Sequence, residues 1–212
     1  IQAVLMKYDI MLVAYEVVTG FGRLGSMFGS DHYGMKPDLI TIAKGLTSAY
    51  APLSGVIVGD KVWDVLVQGS DKLGALGHGW TYSAHPICAA AGVANLELID
   101  EMGLVGNVAT VGAHFRKGLS DALSAHAHVG DVRGDGMLAA VEFVDDKDDR
   151  VFFDASKKIG PQVAAALLER GVIGRAMPQG DILGFAPPLC LTKGDADIIV
   201  ERTADAVKAV LG

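Results

Sequence analysis

Cysteine is scarce in this chain of 212 residues, which contains only Cys88 and Cys190. The two lie far apart and lack the short spacing that cysteines have in zinc sites and redox motifs. A disulfide framework is therefore excluded. Free thiols are typical of a reducing compartment, so we expect a cytoplasmic protein.

The sequence also lacks a long apolar segment and an excess of positive charge. No apolar run approaches the roughly 18 residues that a membrane-spanning helix requires. The net charge is −7 and the pI is about 5.3, so we expect neither nucleic acid nor a membrane as a partner. The first residues show no signal-peptide pattern, and the chain begins at Ile1 rather than methionine, so we expect a fragment of a longer polypeptide.

Hydrophobic residues make up 50% of the sequence, enough for a substantial core. Near-continuous apolar runs predict strands at residues 10–18, 38–43 and 53–59, the first of them covered on both faces. Helical spacing predicts helices that begin at Asp60, Pro86 and Leu104. We therefore expect an α/β fold, with a mostly parallel sheet flanked by helices.

The second half of the chain predicts a smaller α/β domain. Its pattern indicates a hairpin over residues 129–144, an amphipathic helix over 155–170, short strands at 172–177 and 182–185, and a final helix. Thr192 and Asp195 have the spacing of a capping box before that final helix. We place the boundary near residue 104, so that residues 1–104 belong to a large domain and residues 105–212 form a small C-terminal domain.

Lys44 stands at the end of the second predicted strand, directly before Gly45. A lysine at the mouth of a sheet can be partly desolvated, which lowers the pKa of its amine and makes it a nucleophile for carbonyl compounds. A lone lysine is more often a solvated surface residue. The motifs around Lys44 favour the catalytic interpretation.

Two other sites are suggested by local patterns and are disfavoured by their context. Gly20, Gly22 and Gly25 match the spacing of a dinucleotide-binding loop, but residues 26–37 show no helical stripe and no acidic residue follows at the required distance. His78, His85 and Cys88 could be imagined around zinc, but a fourth ligand at normal spacing is missing. We expect no metal site.

Three separate motifs together point to a known family. They are residues 16–23 (Glu-Val-Val-Thr-Gly-Phe-Gly-Arg), residues 37–47 (Pro-Asp-Leu-Ile-Thr-Ile-Ala-Lys-Gly-Leu-Thr) and residues 78–86 (His-Gly-Trp-Thr-Tyr-Ser-Ala-His-Pro). A C-terminal piece, from Arg175 to Leu189, also matches. The chain resembles the class III aminotransferases of pyridoxal-phosphate fold type I. Within this family its motifs are most similar to those of the ω-amine:pyruvate branch. The resemblance corresponds to the C-terminal half of the family length.

The resemblance implies roles around pyridoxal 5′-phosphate. Lys44 would form the Schiff base with the cofactor and later move the proton between the substrate carbon and the cofactor. Val17 would pack on the ring face, although an ordinary core role is as frequent. Residues 1–104 would then be the C-terminal part of the large cofactor-binding domain.

Further roles implied by the resemblance concern substrate and dimer. Thr81 would reach the cofactor phosphate of the other subunit of a homodimer with shared active sites; otherwise it is a hydroxyl that satisfies backbone groups. Arg175 would bind the carboxylate of a keto acid, and otherwise form a surface ion pair. Trp80 would line the substrate pocket or lie in the core.

Tyr15 departs from the family pattern, which has aspartate immediately before the glutamate that matches Glu16. In the family, that aspartate would pair with the protonated pyridine nitrogen of the cofactor. Tyr15 occupies the same position here and would therefore be the residue that contacts the cofactor. A tyrosine side chain is normally neutral and cannot supply the countercharge. Glu16 should point to the opposite face of the strand. Impaired transamination is therefore expected.

The resemblance implies transamination from a primary amine or ω-amino acid to a keto acid such as pyruvate. Three alternatives stay open at this point: a catalytically impaired homologue that binds cofactor, an aminomutase of the same fold, and, most distantly, a nucleotide-binding protein. Family members are about twice as long, and the segments expected to bind the cofactor phosphate and to stack on its ring are outside this sequence.

Overall fold

The computed structural model describes residues 1–212, which form two compact units, Ile1–Val105 and Gly106–Gly212. The first unit ends next to the boundary expected from the sequence. Its assignment to a larger cofactor-binding domain stays a prediction. None of the helices combines the length and the apolar character needed to cross a bilayer.

The first unit contains four helices around a three-stranded sheet. The helices are α1 (Gln2–Lys7), α2 (Gly29–His32), α3 (Asp60–Leu73) and α4 (Pro86–Glu101), and the strands are β1 (Val13–Tyr15), β2 (Leu39–Ile42) and β3 (Gly55–Val58). The strand order is β1-β2-β3; β1 and β2 are parallel, whereas β2 and β3 are antiparallel. A 3₁₀ turn, Lys44–Leu46, follows β2.

Several predicted elements of the first unit differ from those observed. The long strand predicted over residues 10–18 is wrong, because only Val13–Tyr15 pairs with a neighbouring strand. The next side chain, Glu16, is bonded instead to the start of α2. The expectation that both faces of this strand are covered is also wrong, since Val13 and Tyr15 are exposed. The short α2 was not predicted, whereas α3 begins at Asp60 as expected.

The core of the first unit is small. Phe21, Leu46 and Ile99 are its fully packed members, and partly buried apolar side chains surround them: Phe28, Ile42, Leu53, Leu96, Leu104 and Val105. Helix α3 has no buried residue. Loops and helices therefore contribute more to this core than the sheet, whose one member in it is Ile42.

The second unit is built on a four-stranded antiparallel sheet of order β4-β5-β7-β6. Its strands are β4 (Val129–Asp135), β5 (Leu138–Phe143), β6 (Arg175–Ala176) and β7 (Ile182–Phe185). Its helices are α5 (Leu104–Leu123), α6 (Ile159–Glu169) and α7 (Lys193–Leu211). The α/β class is confirmed; within this chain the only parallel strand pair is β1–β2.

The second unit has a continuous apolar core. Phe115, Phe143, Val163, Leu183 and Val207 are among its fully buried side chains. The predicted capping box is confirmed, because the Thr192 hydroxyl accepts from the Asp195 amide at 3.1 Å and the Asp195 carboxylate accepts from the Thr192 amide at 3.2 Å. The predicted single helix over 155–170 is interrupted at Lys158, whose backbone is left-handed.

Gly112 allows helix α5 to approach the hairpin turn between β4 and β5. A Cβ at this position would lie 2.2 Å from the carbonyl oxygen of Gly136, a backbone atom that cannot move aside freely. We predict that Gly112→Ala lowers the free energy of unfolding by about 2 kcal/mol or more, because the inserted methyl overpacks the site. Urea titration of the full chain, followed by circular dichroism, measures the loss.

Gly106→Ala is the matched control for this substitution. Gly106 lies on the same helix, and a Cβ there meets no atom within 4 Å. Alanine is the better helix former, so this variant should match the parent or gain up to about 1 kcal/mol. Equal stability of the two variants would contradict the proposed close approach.

Candidate active site

Lys44 lies at the carboxyl end of β2, the middle strand of the first sheet. Strand β2 ends at Ile42, Ala43 remains extended, and Lys44 begins the 3₁₀ turn with a φ of +45°. A left-handed backbone costs a residue with a Cβ about 1–2 kcal/mol. The side chain of Lys44 is exposed. The expectation that neighbouring residues partly desolvate this lysine is therefore wrong within this chain.

The turn after Lys44 contains two further left-handed residues and is bonded to helix α4. Ser48 and Ala49 have φ values of +48° and +63°. The side-chain amide of Asn95, on α4, donates to the carbonyl oxygens of Gly45 at 2.8 Å and Leu46 at 3.2 Å. Asn95 has no sequence motif that marks this role, and sequence reasoning missed it.

Tyr15 and Lys44 lie at the same edge of the sheet. Strands β1 and β2 run parallel, with Tyr15 paired to Thr41, so that both strands end on the same side. The Tyr15 side chain is 73% exposed. The Thr41 hydroxyl is buried and has no hydrogen-bond partner. This edge therefore combines an exposed amine, an exposed phenol and an unpartnered hydroxyl.

Glu16 fixes the loop that follows β1. Its buried carboxylate accepts hydrogen bonds from the Thr19 hydroxyl at 2.5 Å, the Gly29 amide at 2.9 Å, and both the amide and the hydroxyl of Ser30 at 2.5 Å. Burial raises the pKa of the Glu16 carboxyl, but these hydrogen bonds outweigh burial and hold the pKa below its ordinary value. Glu16 is thus an ionised, fully engaged carboxylate.

Val17 is half-buried next to Glu16, in the loop that these hydrogen bonds organise. Its position is compatible with packing on a bound ring and with an ordinary loop contact.

Trp80 and Thr81 lie in an exposed turn before α4. The Trp80 side chain is 80% exposed, which excludes a place in the core of the first unit. The Trp80 amide donates to the Ser83 hydroxyl at 2.8 Å and so fixes the turn. Thr81 is exposed as well. Both side chains are accessible to a ligand or to a second polypeptide.

Arg175 belongs to the second unit, as the first residue of β6, where it pairs with Gly184. Its side chain is exposed, and it forms none of the ion pairs found in this unit. The guanidinium is therefore available to a carboxylate. It lies in a different unit from Lys44.

The family resemblance extends over nearly the entire chain. Residues 1–207 match the model of the family described as aminotransferase class-III. The chain belongs to the class-III aminotransferases. Class-III aminotransferases use pyridoxal 5′-phosphate, and their fold is fold type I.

Curated class-III aminotransferases resemble the chain along its whole length. It is 60% identical to a diaminobutyrate–2-oxoglutarate transaminase of Halomonas elongata over 210 residues, which are 99% of this chain and 45% of that protein. It is 41% identical to a probable mitochondrial γ-aminobutyrate transaminase of Oryza sativa subsp. indica, with 99% and 40% of the two chains covered. The chain thus spans under half the length of these relatives.

Solved transaminase structures have the same fold. A transaminase from a study of directed evolution by ancestral reconstruction superposes with a TM-score of 0.96 and 63% identity, covering 99% of this chain and 46% of its own. An (S)-enantioselective ω-transaminase from Thermomicrobium roseum has a TM-score of 0.92 and 41% identity, with coverage of 99% and 46%.

The residues at the sheet edge fit one part of the cofactor. Lys44 offers an exposed primary amine for the aldehyde, and the buried Thr41 hydroxyl lacks a partner in the strand beside Tyr15. The acidic residue that the resemblance places next to Glu16 is replaced by Tyr15. The sheet edge thus presents a primary amine, of the kind that an aldehyde requires, but no carboxylate at position 15.

Glu16→Gln tests the network around the buried carboxylate. A glutamine carries no charge and presents an NH₂ group where donors already point, so we predict a loss of about 2 kcal/mol in the free energy of unfolding at pH 7. A carboxyl with a lowered folded-state pKa stabilises the fold above its unfolded-state pKa, near the ordinary value of 4.5. This contribution is lost as the pH falls through the folded-state value.

The measurement is urea unfolding of parent and Glu16→Gln at pH 7 and at steps below pH 4.5. The difference between the two should shrink at the acidic end. Glu97→Gln is the control, because Glu97 is exposed on α4 and should differ little from the parent. A pH-independent difference between parent and Glu16→Gln would argue against an ionised Glu16.

Proposed function

We propose that this chain carries the lysine-bearing part of a pyridoxal-phosphate-dependent transamination site. The observation that supports it most directly is Lys44, an exposed amine in a left-handed turn at the carboxyl edge of the parallel β1–β2 pair. Ligands of open α/β sheets bind outside the carboxyl ends of the strands. The family membership gives this position its chemical meaning.

Pyridoxal phosphate, when bound, supplies an aldehyde for amines and a ring that accepts electrons. Lys44 Nζ would hold the cofactor at its aldehyde carbon and, as a free amine, would move a proton at the substrate carbon. Val17 packs against the ring, next to the loop that Glu16 fixes. Thr81 binds the cofactor phosphate of the other subunit of a homodimer.

The proposed reaction moves an amino group from a primary amine or ω-amino acid to a keto acid such as pyruvate. Two relatives are named for diaminobutyrate and γ-aminobutyrate, which both carry an amine at the end of a short chain. Solved neighbours are named ω-transaminases. Arg175, with its exposed and unpaired guanidinium, binds the carboxylate of the keto acid, and Trp80 lines the amine pocket.

Lys44→Ala tests the attachment of the cofactor. We predict that the parent chain, mixed with pyridoxal phosphate, develops a visible absorbance band that borohydride converts into a permanent adduct on Lys44. Lys44→Ala should lose the band and the adduct, because no other residue offers this amine at the sheet edge. Absorbance and peptide mass spectrometry measure both.

Lys36→Ala is the control, since Lys36 is exposed and lies outside the turn. It should retain the adduct on Lys44. Adducts scattered evenly over the lysines of the parent would argue against a dedicated site.

Tyr15→Asp tests whether the missing countercharge limits the reaction. An aspartate at this edge can hold the pyridine nitrogen protonated, which a neutral phenol cannot do. We predict that Tyr15→Asp raises the rate of amino transfer from 4-aminobutyrate by about tenfold or more, equivalent to roughly 1.4 kcal/mol in the barrier. Single-turnover absorbance of the cofactor-loaded full chain measures the rate.

Tyr8→Asp controls for the added negative charge, because Tyr8 is exposed at the end of α1. It should react like the parent. Equal rates for Tyr15→Asp and the parent would defeat the idea that Tyr15 impairs the site. Cofactor binding without turnover in the parent would favour the second candidate, a catalytically impaired homologue, which Tyr15 motivates.

A further inference from the structure

The turn that carries Lys44 is built from backbone conformations that its residues do not favour. Lys44, Ser48 and Ala49 all have positive φ values, of +45°, +48° and +63°, and each carries a Cβ. Such conformations persist only where surrounding contacts hold them. The contacts that hold this turn therefore determine where the amine of Lys44 points.

Internal backbone hydrogen bonds account for part of the hold. The Thr47 and Ala49 amides donate to the carbonyl oxygen of Lys44 at 3.2 and 3.3 Å, and the Ser48 amide donates to that of Gly45 at 3.4 Å. These distances lie at or beyond the upper end of the usual range for N–H···O bonds. Two other backbone bonds, from the Leu46 amide to the Ala43 carbonyl oxygen at 3.1 Å and from the Tyr50 amide to the Thr47 carbonyl oxygen at 3.0 Å, are of ordinary length. The long bonds are those to Lys44 and Gly45, so this part of the turn gains most from support outside it.

Asn95 provides that support from helix α4. Its Nδ2 donates to the carbonyl oxygens of Gly45 at 2.8 Å and Leu46 at 3.2 Å, and its Oδ1 accepts from the Ser48 hydroxyl at 2.6 Å. The side-chain amide of Asn95 thus acts on the turn both as a donor and as an acceptor. The bonded residues lie on both sides of Thr47, so the three hydrogen bonds together cover most of the strained segment.

The helix that carries Asn95 lies directly against the turn. Gly92 is buried one helical turn earlier on the same face, where a Cβ would lie 3.1 Å from Leu53 Cδ2 and 3.8 Å from the Leu46 carbonyl oxygen. Asn95 is therefore presented from a rigid element at close range.

We propose that Asn95 is a positioning residue for Lys44: it holds the turn after β2 in its left-handed form and so aims the Lys44 amine at the cofactor aldehyde. The inference rests on the proposed role of Lys44. An amine that must attack one carbon loses efficiency when its anchor shifts by a fraction of an ångström. Removal of the Asn95 side chain should let the backbone of the turn relax, so that the Lys44 amine occupies a wider range of positions.

Asn95→Ala is compared with Asn107→Ala, a matched control in the second unit. Asn107 also projects from a helix and donates to two carbonyl oxygens, those of Leu189 at 2.7 Å and Leu191 at 3.0 Å. The two substitutions remove the same type of bond, but only one touches the Lys44 turn. A general loss of stability would appear in both variants.

The first readout is attachment of pyridoxal phosphate to the full chain, fixed by borohydride and assigned by peptide mass spectrometry. We expect the rate of adduct formation at Lys44 to fall about tenfold or more in Asn95→Ala and to stay at the parent value in Asn107→Ala. Ala49→Gly, added to Asn95→Ala, should recover part of the loss, because glycine adopts a positive φ without strain. Equal rates in Asn95→Ala and the parent would overturn the inference.

The second readout, hydrogen exchange of the amides of residues 46–50, needs no cofactor. Exchange should accelerate about tenfold or more in Asn95→Ala and remain unchanged in Asn107→Ala. A parent chain that forms no adduct at Lys44 defeats the proposed function, whereas unchanged exchange in Asn95→Ala defeats the inference about Asn95. The two failures are therefore distinguishable.

Discussion

The contact between the two loops that follow the parallel strands is the constraint on which the first unit depends. Gly45, next to Lys44, lies against Phe21 in the loop after β1, where a Cβ would be only 3.2 Å from Phe21 Cβ. Glu16 ties the first loop to α2 by buried hydrogen bonds, and Asn95 ties the second to α4. The sheet edge is thus fixed by polar side chains from two directions, and the two loops are in direct contact.

Each of the two units is stabilised by a different kind of interaction. The second unit has a continuous core of fully buried side chains, so its stability follows from apolar burial. The first buries few side chains completely and leaves Val13, Tyr15 and Val56 exposed on one face of its sheet. Directed hydrogen bonds from Glu16 and Asn95 are therefore a larger share of what defines the geometry at Lys44. Such bonds specify position more sharply than apolar contacts, which are not directional.

Local patterns were sufficient for much of the fold and for the position of Lys44 after the end of β2. Strand β3, the start of α4 at Pro86 and the cap at Thr192 follow from β-branched residues, proline at a first helical position and a capping box. The length of β1 could not be read from its apolar run, because pairing depends on the strand beside it. Asn95 was missed for a similar reason: an asparagine within a helix gives no signal of a bond to a turn some 50 residues away.

The geometry also limits how the substitution at position 15 can be compensated. Alternation along the strand sends Tyr15 to the exposed face and Glu16 into the interior. The Glu16 carboxylate accepts hydrogen bonds from Thr19, Gly29 and Ser30, and these bonds favour its ionised form. Freeing this carboxylate for a pyridine nitrogen would leave buried donors unpaired, which costs more than the new bond returns. Any countercharge for a cofactor at this edge must therefore come from position 15 itself or from another polypeptide segment.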